Sequence, residues 1–152
     1  MPDPTRPVTG GCQCGAVRFR LSAMPKEPSV CHCRMCQKAG GAPFMVFAGL
    51  PDKHVEWTRG APKIYASSEF AERGFCAECG TPLTYRMKGK PRISFSSGSF
   101  DNAEAIVPLE QLGVESRLPW VNSIAALRAF TTDDWMAAHN LSIHSHQHPD
   151  QD

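Results

Sequence analysis

Seven cysteines in three close-spaced clusters are the residues of this sequence best suited to chemistry. The clusters read Cys12-Gln-Cys14-Gly, Cys31-His-Cys33-Arg-Met-Cys36 and Cys76-Ala-Glu-Cys79-Gly. A structural zinc ion takes four protein ligands, whereas a catalytic zinc ion keeps one coordination position open. The middle cluster, called the triplet below, offers three thiols. It therefore either borrows a fourth ligand or leaves a position free for substrate.

The simplest partition of the thiols is four plus three. Cys12 and Cys14 can join Cys76 and Cys79 in a tetrahedral site, and the triplet then stands alone. The glycines after Cys14 and Cys79 favour zinc knuckles, since glycine accepts the positive φ that such turns need. Two alternatives stay open. A single zinc could bind with the triplet borrowing another cysteine, or Cys76 and Cys79 could form a redox pair, although the latter expects a βαβ context.

The elements that position these cysteines are predicted to be short strands, because 13 prolines and 12 glycines divide the chain into short segments. The run FMVFAGL between two prolines is typical of a buried strand. Short helices are expected at 34–39, beside the triplet, and at 135–140, after an N-cap pattern of two threonines. Predicted strands are 16–21, 44–50, 55–58, 63–67, 72–75, 82–87 and 92–96.

Length and charge set the broad class. At 152 residues we expect one zinc-binding domain at 10–140, with a flexible N-terminus (1–9) and a flexible polar tail (141–152). Three tail histidines, His144, His146 and His148, could bind metal adventitiously. The chain has 16 basic and 15 acidic residues, so its net charge is close to zero. This balance argues against nucleic-acid partners and against a nucleic-acid-binding zinc ribbon. No apolar run long enough for a bilayer and no secretory pattern are visible, so a cytoplasmic protein with reduced thiols is expected.

The cysteine clusters and their flanks carry a resemblance to a known family. The segments GGCQCGAVRF, CHCRMCQKAGGAPF and FCAECGTPLTY, followed by SGSFDNAEAIVP and VESRLPWV, resemble the glutathione-dependent formaldehyde-activating enzymes. That family also includes the centromere protein V type. The likeness spans residues 10–120 and includes all seven cysteines.

The resemblance implies a mainly β, Mss4-like tent of small antiparallel sheets with short helical turns, stapled by zinc. It also implies two Zn²⁺ ions per chain. The structural zinc would bind Cys12, Cys14, Cys76 and Cys79, and the catalytic zinc would bind Cys31, Cys33 and Cys36. The implied reaction adds glutathione to formaldehyde, formally a carbon–sulfur lyase reaction in reverse. The rival hypothesis is a non-catalytic, zinc-stabilised Mss4-like binding module.

Several other residues could act in the site or could serve only the fold. Asp101 is a candidate general acid, although a turn residue that accepts backbone hydrogen bonds is the favoured interpretation. Arg34 and Lys38 could bind the substrate's carboxylates or simply face solvent, and Trp120 could line the pocket or belong to the core. His32, between two ligands, is expected to pack rather than to bind metal. Many relatives carry a His-Ile-aromatic motif where this chain has Gln111, Leu112 and Gly113.

Overall fold

The computed structural model describes residues 7–151 and is mainly β, as predicted. Its strands are β1 (Val8–Gly11), β2 (Arg18–Leu21), β3 (Lys26–Cys31), β4 (Met45–Pro51), β5 (Val55–Arg59), β6 (Lys63–Ala66), β7 (Ala71–Phe75), β8 (Pro82–Met87), β9 (Arg92–Ser96) and β10 (Glu110–Leu112). The α-helices are α1 (Arg34–Gly40) and α2 (Thr132–Ala138), and short 3-10 turns join several elements. Within residues 7–151, no helix has the length and apolarity to cross a membrane.

Two sheets form the body of the protein. The smaller is antiparallel with the order β1-β2-β5, and the larger has the order β10-β3-β4-β9-β8-β7-β6. The larger sheet is antiparallel except at its edge, where β10 runs parallel to β3. One small antiparallel sheet is present, as expected, and the second sheet is larger and mixed, with seven strands.

The main core lies between the two sheets. Phe19 of β2 packs against Phe95 of β9, with ring centroids 4.3 Å apart, and Phe100 closes the cluster at 5.5 Å from Phe19. Strand β4 contributes Ala48 and Leu50, both buried. The apolar run of β4 is explained by its position, because β4 lies between β3 and β9 inside the larger sheet.

The predicted strands all form, with ends within two residues of the expected positions. Strands β1, β3 and β10 were not predicted. Strand β3 contains Pro28, and its ladder with β4 shifts register between Lys26 and Ser29, where Glu27 has a φ of +53°. The proline therefore lies at an irregularity, where its missing N–H is tolerated.

Both predicted helices form. Helix α1 begins after Cys33 and ends at Gly41, which is left-handed with φ +60°. Helix α2 begins three residues earlier than predicted because Thr131 is its N-cap, accepting a hydrogen bond from the backbone N–H of Asp134.

Candidate functional site

Four cysteines meet where the two sheets adjoin. Cys12 and Cys14 lie in the turn between β1 and β2, and Cys76 and Cys79 lie between β7 and β8. Their sulfur atoms all lie within 4.8 Å of one another, with Cys12–Cys14 at 3.6 Å and Cys14–Cys76 at 3.9 Å. A tetrahedral zinc with Zn–S bonds of about 2.3 Å places its sulfurs about 3.8 Å apart. The four thiols therefore fit a closed zinc site.

The surroundings of this four-cysteine cluster are those of a zinc knuckle. The backbone N–H of Val17 donates to Cys12 Sγ at 3.2 Å, and the Thr81 hydroxyl lies 3.1 Å from Cys79 Sγ. Gly15 and Gly80 have φ of +77° and +78°, as the sequence predicts for both turns. Cys12 and Cys76 are buried in a small core with Val17 and Leu83. The cluster thus links the small sheet to the large one.

The triplet forms a second, separate group. Cys31 ends β3, Cys33 is the N-cap of α1 and Cys36 lies in the first turn of that helix. The sulfurs of Cys31 and Cys33 are 3.4 Å apart, and the backbone N–H of Cys36 donates to Cys33 Sγ at 3.4 Å. Among residues 7–151, no fourth cysteine, histidine or carboxylate joins this group. It fits a zinc ion bound by three protein ligands.

The thiols of the triplet do not ionise independently. Burial raises the pKa of Cys31 to about 12, and the neighbouring Cys36 sulfur adds to the rise. Burial opposes ionisation of Cys33 as well, but hydrogen bonds from the backbone N–H groups of Cys36 and Met35 and from the Cys31 and Cys36 thiols together outweigh it, so the pKa of Cys33 lies below its ordinary value. A bound cation would favour the thiolate form of all three and release their protons.

A cavity of about 480 Å³ lies against helix α1, and its described wall contains neighbours of the triplet but none of the three cysteines. Helix α1, which carries Cys36, contributes Met35 and Lys38 to its wall, and β7 contributes Arg73. The guanidinium of Arg73 donates from Nη2 to Cys36 Sγ at 3.3 Å and so connects the cavity with the triplet. Lys38 and Arg73 are the charged residues in the described lining, which includes no carboxylate.

Arg73 is the residue of this site that sequence reasoning missed. It is 9% exposed, its Nε donates to Ser67 Oγ at 3.0 Å, and it lies over the Tyr85 ring at 5.1 Å. One sequence signal could have identified Arg73. Side chains alternate between the two faces of a strand, so Arg73 lies on the same face of β7 as buried Ala71. A charged residue at an inward-facing position is unusual and points to a partner inside.

The segment 110–117 covers the triplet from the other side. Strand β10 pairs with β3, placing Leu112 beside Cys31, and the backbone N–H of His32 donates to the Leu112 carbonyl at 2.9 Å. A Cβ built on Gly113 would lie 2.7 Å from the backbone nitrogen of Cys33. The contact therefore requires the absence of a side chain at Gly113.

Gln111 and His32 form a pair beneath this cover. His32 is 1% exposed, its Nε2 lies 2.9 Å from Gln111 Oε1, and its ring packs edge-on against Phe44. His32 thus packs behind the triplet, as expected, rather than joining the group of possible ligands. Its Nδ1 has no hydrogen-bond partner among the residues described.

The other residues proposed from the sequence lie apart from one another. Lys38 lines the cavity, whereas Arg34 is exposed and donates to Gln37 Oε1 at 3.2 Å. Trp120 is 52% exposed in a 3-10 turn and is not among the residues of the cavity wall. Asp101 accepts hydrogen bonds from Arg18 at 2.6 and 2.8 Å and from Thr9 at 2.6 Å. These contacts favour a structural role for Asp101.

Comparisons with known proteins agree with this geometry. Residues 7–116 match the sequence profile of the family described as glutathione-dependent formaldehyde-activating enzyme. An uncharacterised lyase of Schizosaccharomyces pombe is 33% identical over 130 residues, which cover 84% of this chain and 93% of that protein. A protein of Halomonas elongata, provisionally named a glutathione-dependent formaldehyde-activating enzyme, is 30% identical over 124 residues, covering 75% of this chain and 79% of that protein.

One solved structure supports the fold. The crystal structure of a Rhodobacter sphaeroides protein superimposes with a TM-score of 0.53 at 18% identity, covering 68% of this chain and 98% of that chain. The matched profile includes both cysteine groups and residues 110–116 of the segment that covers the triplet. The chain belongs to the glutathione-dependent formaldehyde-activating enzyme family.

Proposed function

We propose that this protein catalyses the addition of a thiol, glutathione, to formaldehyde or a related small aldehyde, a carbon–sulfur lyase reaction in reverse. The observation that carries the proposal is the triplet of cysteines beside a cavity whose charged lining residues are both basic. Glutathione is an anionic thiol, so its carboxylates suit this lining. The printed names of the family and of the two relatives support the same lyase-type activity.

Two Zn²⁺ ions per chain belong to the proposal. The four-cysteine cluster would hold one for structure, and Cys31, Cys33 and Cys36 would hold the other, leaving a position for the substrate's sulfur. When bound, that metal supplies the positive charge that keeps a substrate thiol in its reactive thiolate form. We place the enzyme in the cytoplasm, where glutathione is the reducing thiol.

The chain's own residues supply binding and orientation. Lys38 is exposed on α1 and would bind a carboxylate of the thiol substrate at the cavity wall. Phe47 and Met35 provide apolar surface in the same wall, against which the aliphatic parts of the substrate can pack. Arg34 and Trp120 would act at most on the outer parts of a bound substrate. Asp101 is not used in this mechanism because Arg18 and Thr9 already occupy its carboxylate.

The test is to titrate the cobalt-substituted protein with glutathione and to follow the adduct with formaldehyde by NMR. Sulfur entering the open position should change the visible absorption of the metal, and the adduct should form faster than in buffer. The matched control is S-methylglutathione, which lacks the free thiol and should leave the spectrum unchanged. A protein that neither responds to glutathione nor accelerates the reaction would be a zinc-stabilised binding module instead.

A further inference from the structure

We propose that Arg73 is a catalytic residue that stabilises the negative oxygen formed when the thiolate adds to the aldehyde. The inference rests on the function proposed above and adds to it the group that faces the reacting oxygen. It starts from the position of Arg73, a buried cation at the junction of the cavity and the triplet. No sequence pattern of the cysteine clusters points to this residue.

The contacts of Arg73 leave part of its guanidinium unused. Nη2 donates to Cys36 Sγ at 3.3 Å, and Nε donates to Ser67 Oγ at 3.0 Å. The remaining nitrogen, Nη1, has no hydrogen-bond partner within residues 7–151. Arginine presents five N–H donors in a fixed planar fork, so orienting two nitrogens on the protein also fixes the third.

The surroundings hold this guanidinium rigidly. The ring of Tyr85 lies beneath it at 5.1 Å, and the ring of Phe47 packs against Tyr85 with centroids 5.9 Å apart. Arg73 and Tyr85 are register partners on β7 and β8, so both are set on the sheet rather than on a loop. A donor fixed in advance by strands and an aromatic face costs little reorganisation when charge develops in front of it.

The charge of Arg73 could bind a carboxylate of glutathione or stabilise the aldehyde oxygen, and distance favours the second role. The carboxylates of glutathione lie several bonds from its sulfur, whereas the aldehyde oxygen lies one bond from the carbon that the sulfur attacks. Arg73 touches Cys36 itself, so it lies beside the reacting atoms rather than at the rim of the cavity. The more exposed Lys38 is better placed for a distant carboxylate.

The step balances without any further reactant. A lone pair of the thiolate sulfur forms the carbon–sulfur bond, and the π electrons of the carbonyl move to oxygen. The alkoxide accepts a hydrogen bond from Arg73, which keeps its proton because an arginine guanidinium stays charged in proteins. Water then supplies the proton that yields the hydroxymethyl product, and the hydroxide left behind takes up the proton that the thiol lost on forming the thiolate. In the reverse direction the same contact stabilises the same alkoxide before the carbon–sulfur bond breaks.

The experiment compares Arg73→Met and Arg73→Lys with the wild type, using glutathione and the uncharged thiol 2-mercaptoethanol. We expect kcat to fall about 100-fold in Arg73→Met with both thiols, the size of effect known for removing one oxyanion donor. The zinc content should stay at two per chain. The dissociation constant of glutathione, measured by calorimetry without aldehyde, should change less than threefold. Arg86→Met is the matched control, because Arg86 pairs with Asp52 at 3.2 Å and is not in the cavity wall.

An unchanged kcat in Arg73→Met with zinc retained would overturn the proposal. A loss of affinity for glutathione but not for 2-mercaptoethanol, with kcat preserved, would make Arg73 a carboxylate anchor. If Arg73→Met loses zinc, Arg73→Lys decides, since it keeps the charge beside Cys36 but lacks the planar fork that holds a third donor in front of the oxygen. A fall in kcat with zinc retained in that variant supports the proposal, and an unchanged kcat refutes it. A wild-type protein without thiol-dependent activity, with normal zinc content, would refute the proposed function instead.

Discussion

The ion pair between Arg18 and Asp101 explains why a carboxylate in a segment shared with the family is structural. The side chains are 3% and 11% exposed, and the pair joins β2 to the turn after β9. Burial alone would raise the pKa of Asp101, but hydrogen bonds from Arg18 and Thr9 outweigh it and hold that pKa below its ordinary value. Asp101 therefore stays ionised at neutral pH and is a poor proton donor there.

Asp101→Asn should lower the free energy of unfolding by about 3 kcal/mol at pH 7, because it removes the charged carboxylate from a buried ion pair with Arg18. A lowered pKa in the folded state means that the pair stabilises the protein above the unfolded pKa of about 4. That stabilisation is lost as the pH falls through the folded pKa. Urea unfolding from pH 7 downward should show the wild type and the variant converging on the acid side.

A suitable control is Glu69→Gln, since Glu69 is exposed and should change stability little at any pH. Equal stability of Asp101→Asn and wild type at pH 7 would contradict the structural role. It would also return Asp101 to the list of possible acids.

Among the elements, the short edge strand β10 and the turn after it close over the triplet. Gly113 has a φ of +66°, and its Cα faces the backbone of Cys33. Gly113→Ala should strain the left-handed backbone by about 1–2 kcal/mol and push Cys33 away from its neighbours. We expect one zinc per chain to be lost while the other remains, which elemental analysis of the folded protein measures.

Gly98→Ala is the matched comparison, because a Cβ at Gly98 would meet nothing within 4 Å. Two zincs in both variants would mean that β10 covers the triplet without holding its geometry. The test thus shows whether β10 and the turn after it only shield the triplet or also hold its geometry.

The elements also show what the sequence could predict. The strand over 44–50 followed from a continuous apolar run, and the helix over 34–39 from its flanking glycines; both form within one residue. Strand β10 reads Glu-Gln-Leu and is exposed along its length, so no period of hydrophobic residues marks it. It exists because the backbone of β3 offers it a partner far away in the sequence. Arg73 was missed for a similar reason, since its partner Cys36 comes from a different element.

At the scale of the whole molecule, the C-terminal segment returns to the body beside the four-cysteine cluster. The backbone N–H of His148 donates to the Gln13 carbonyl at 2.7 Å, and Arg59 Nη1 lies 3.3 Å from His148 Nε2. A Cβ at Gly15 would meet the His148 ring. The flexibility of residues 141–152 stays a prediction, but these contacts show where the segment can attach.

Deleting residues 141–152 should cost about 1 kcal/mol of stability, as expected for losing a few partly exposed hydrogen bonds. It should also speed the removal of one zinc by a chelator, because the segment contacts Gln13 and Gly15 on either side of Cys14. Stopped-flow chelation of the full and shortened chains measures this. His148→Ala should reproduce most of the effect, and identical rates in all three proteins would mean that the tail frays as the sequence suggested.

The two cysteine groups should separate stability from activity. Cys76 belongs to the cluster that joins the sheets and is itself buried, so Cys76→Ser removes a cross-link of the whole fold. The free energy of binding a structural zinc contributes directly to folding, so circular dichroism should show this variant to be largely unfolded.

Cys33→Ser should instead keep the fold, retain one zinc per chain and lose the proposed activity. Its sulfur lies at the N-cap of α1, where a serine hydroxyl can still accept the backbone hydrogen bond from Cys36. Similar behaviour of the two variants, or a single zinc in the wild type, would contradict the division into a structural and an open site.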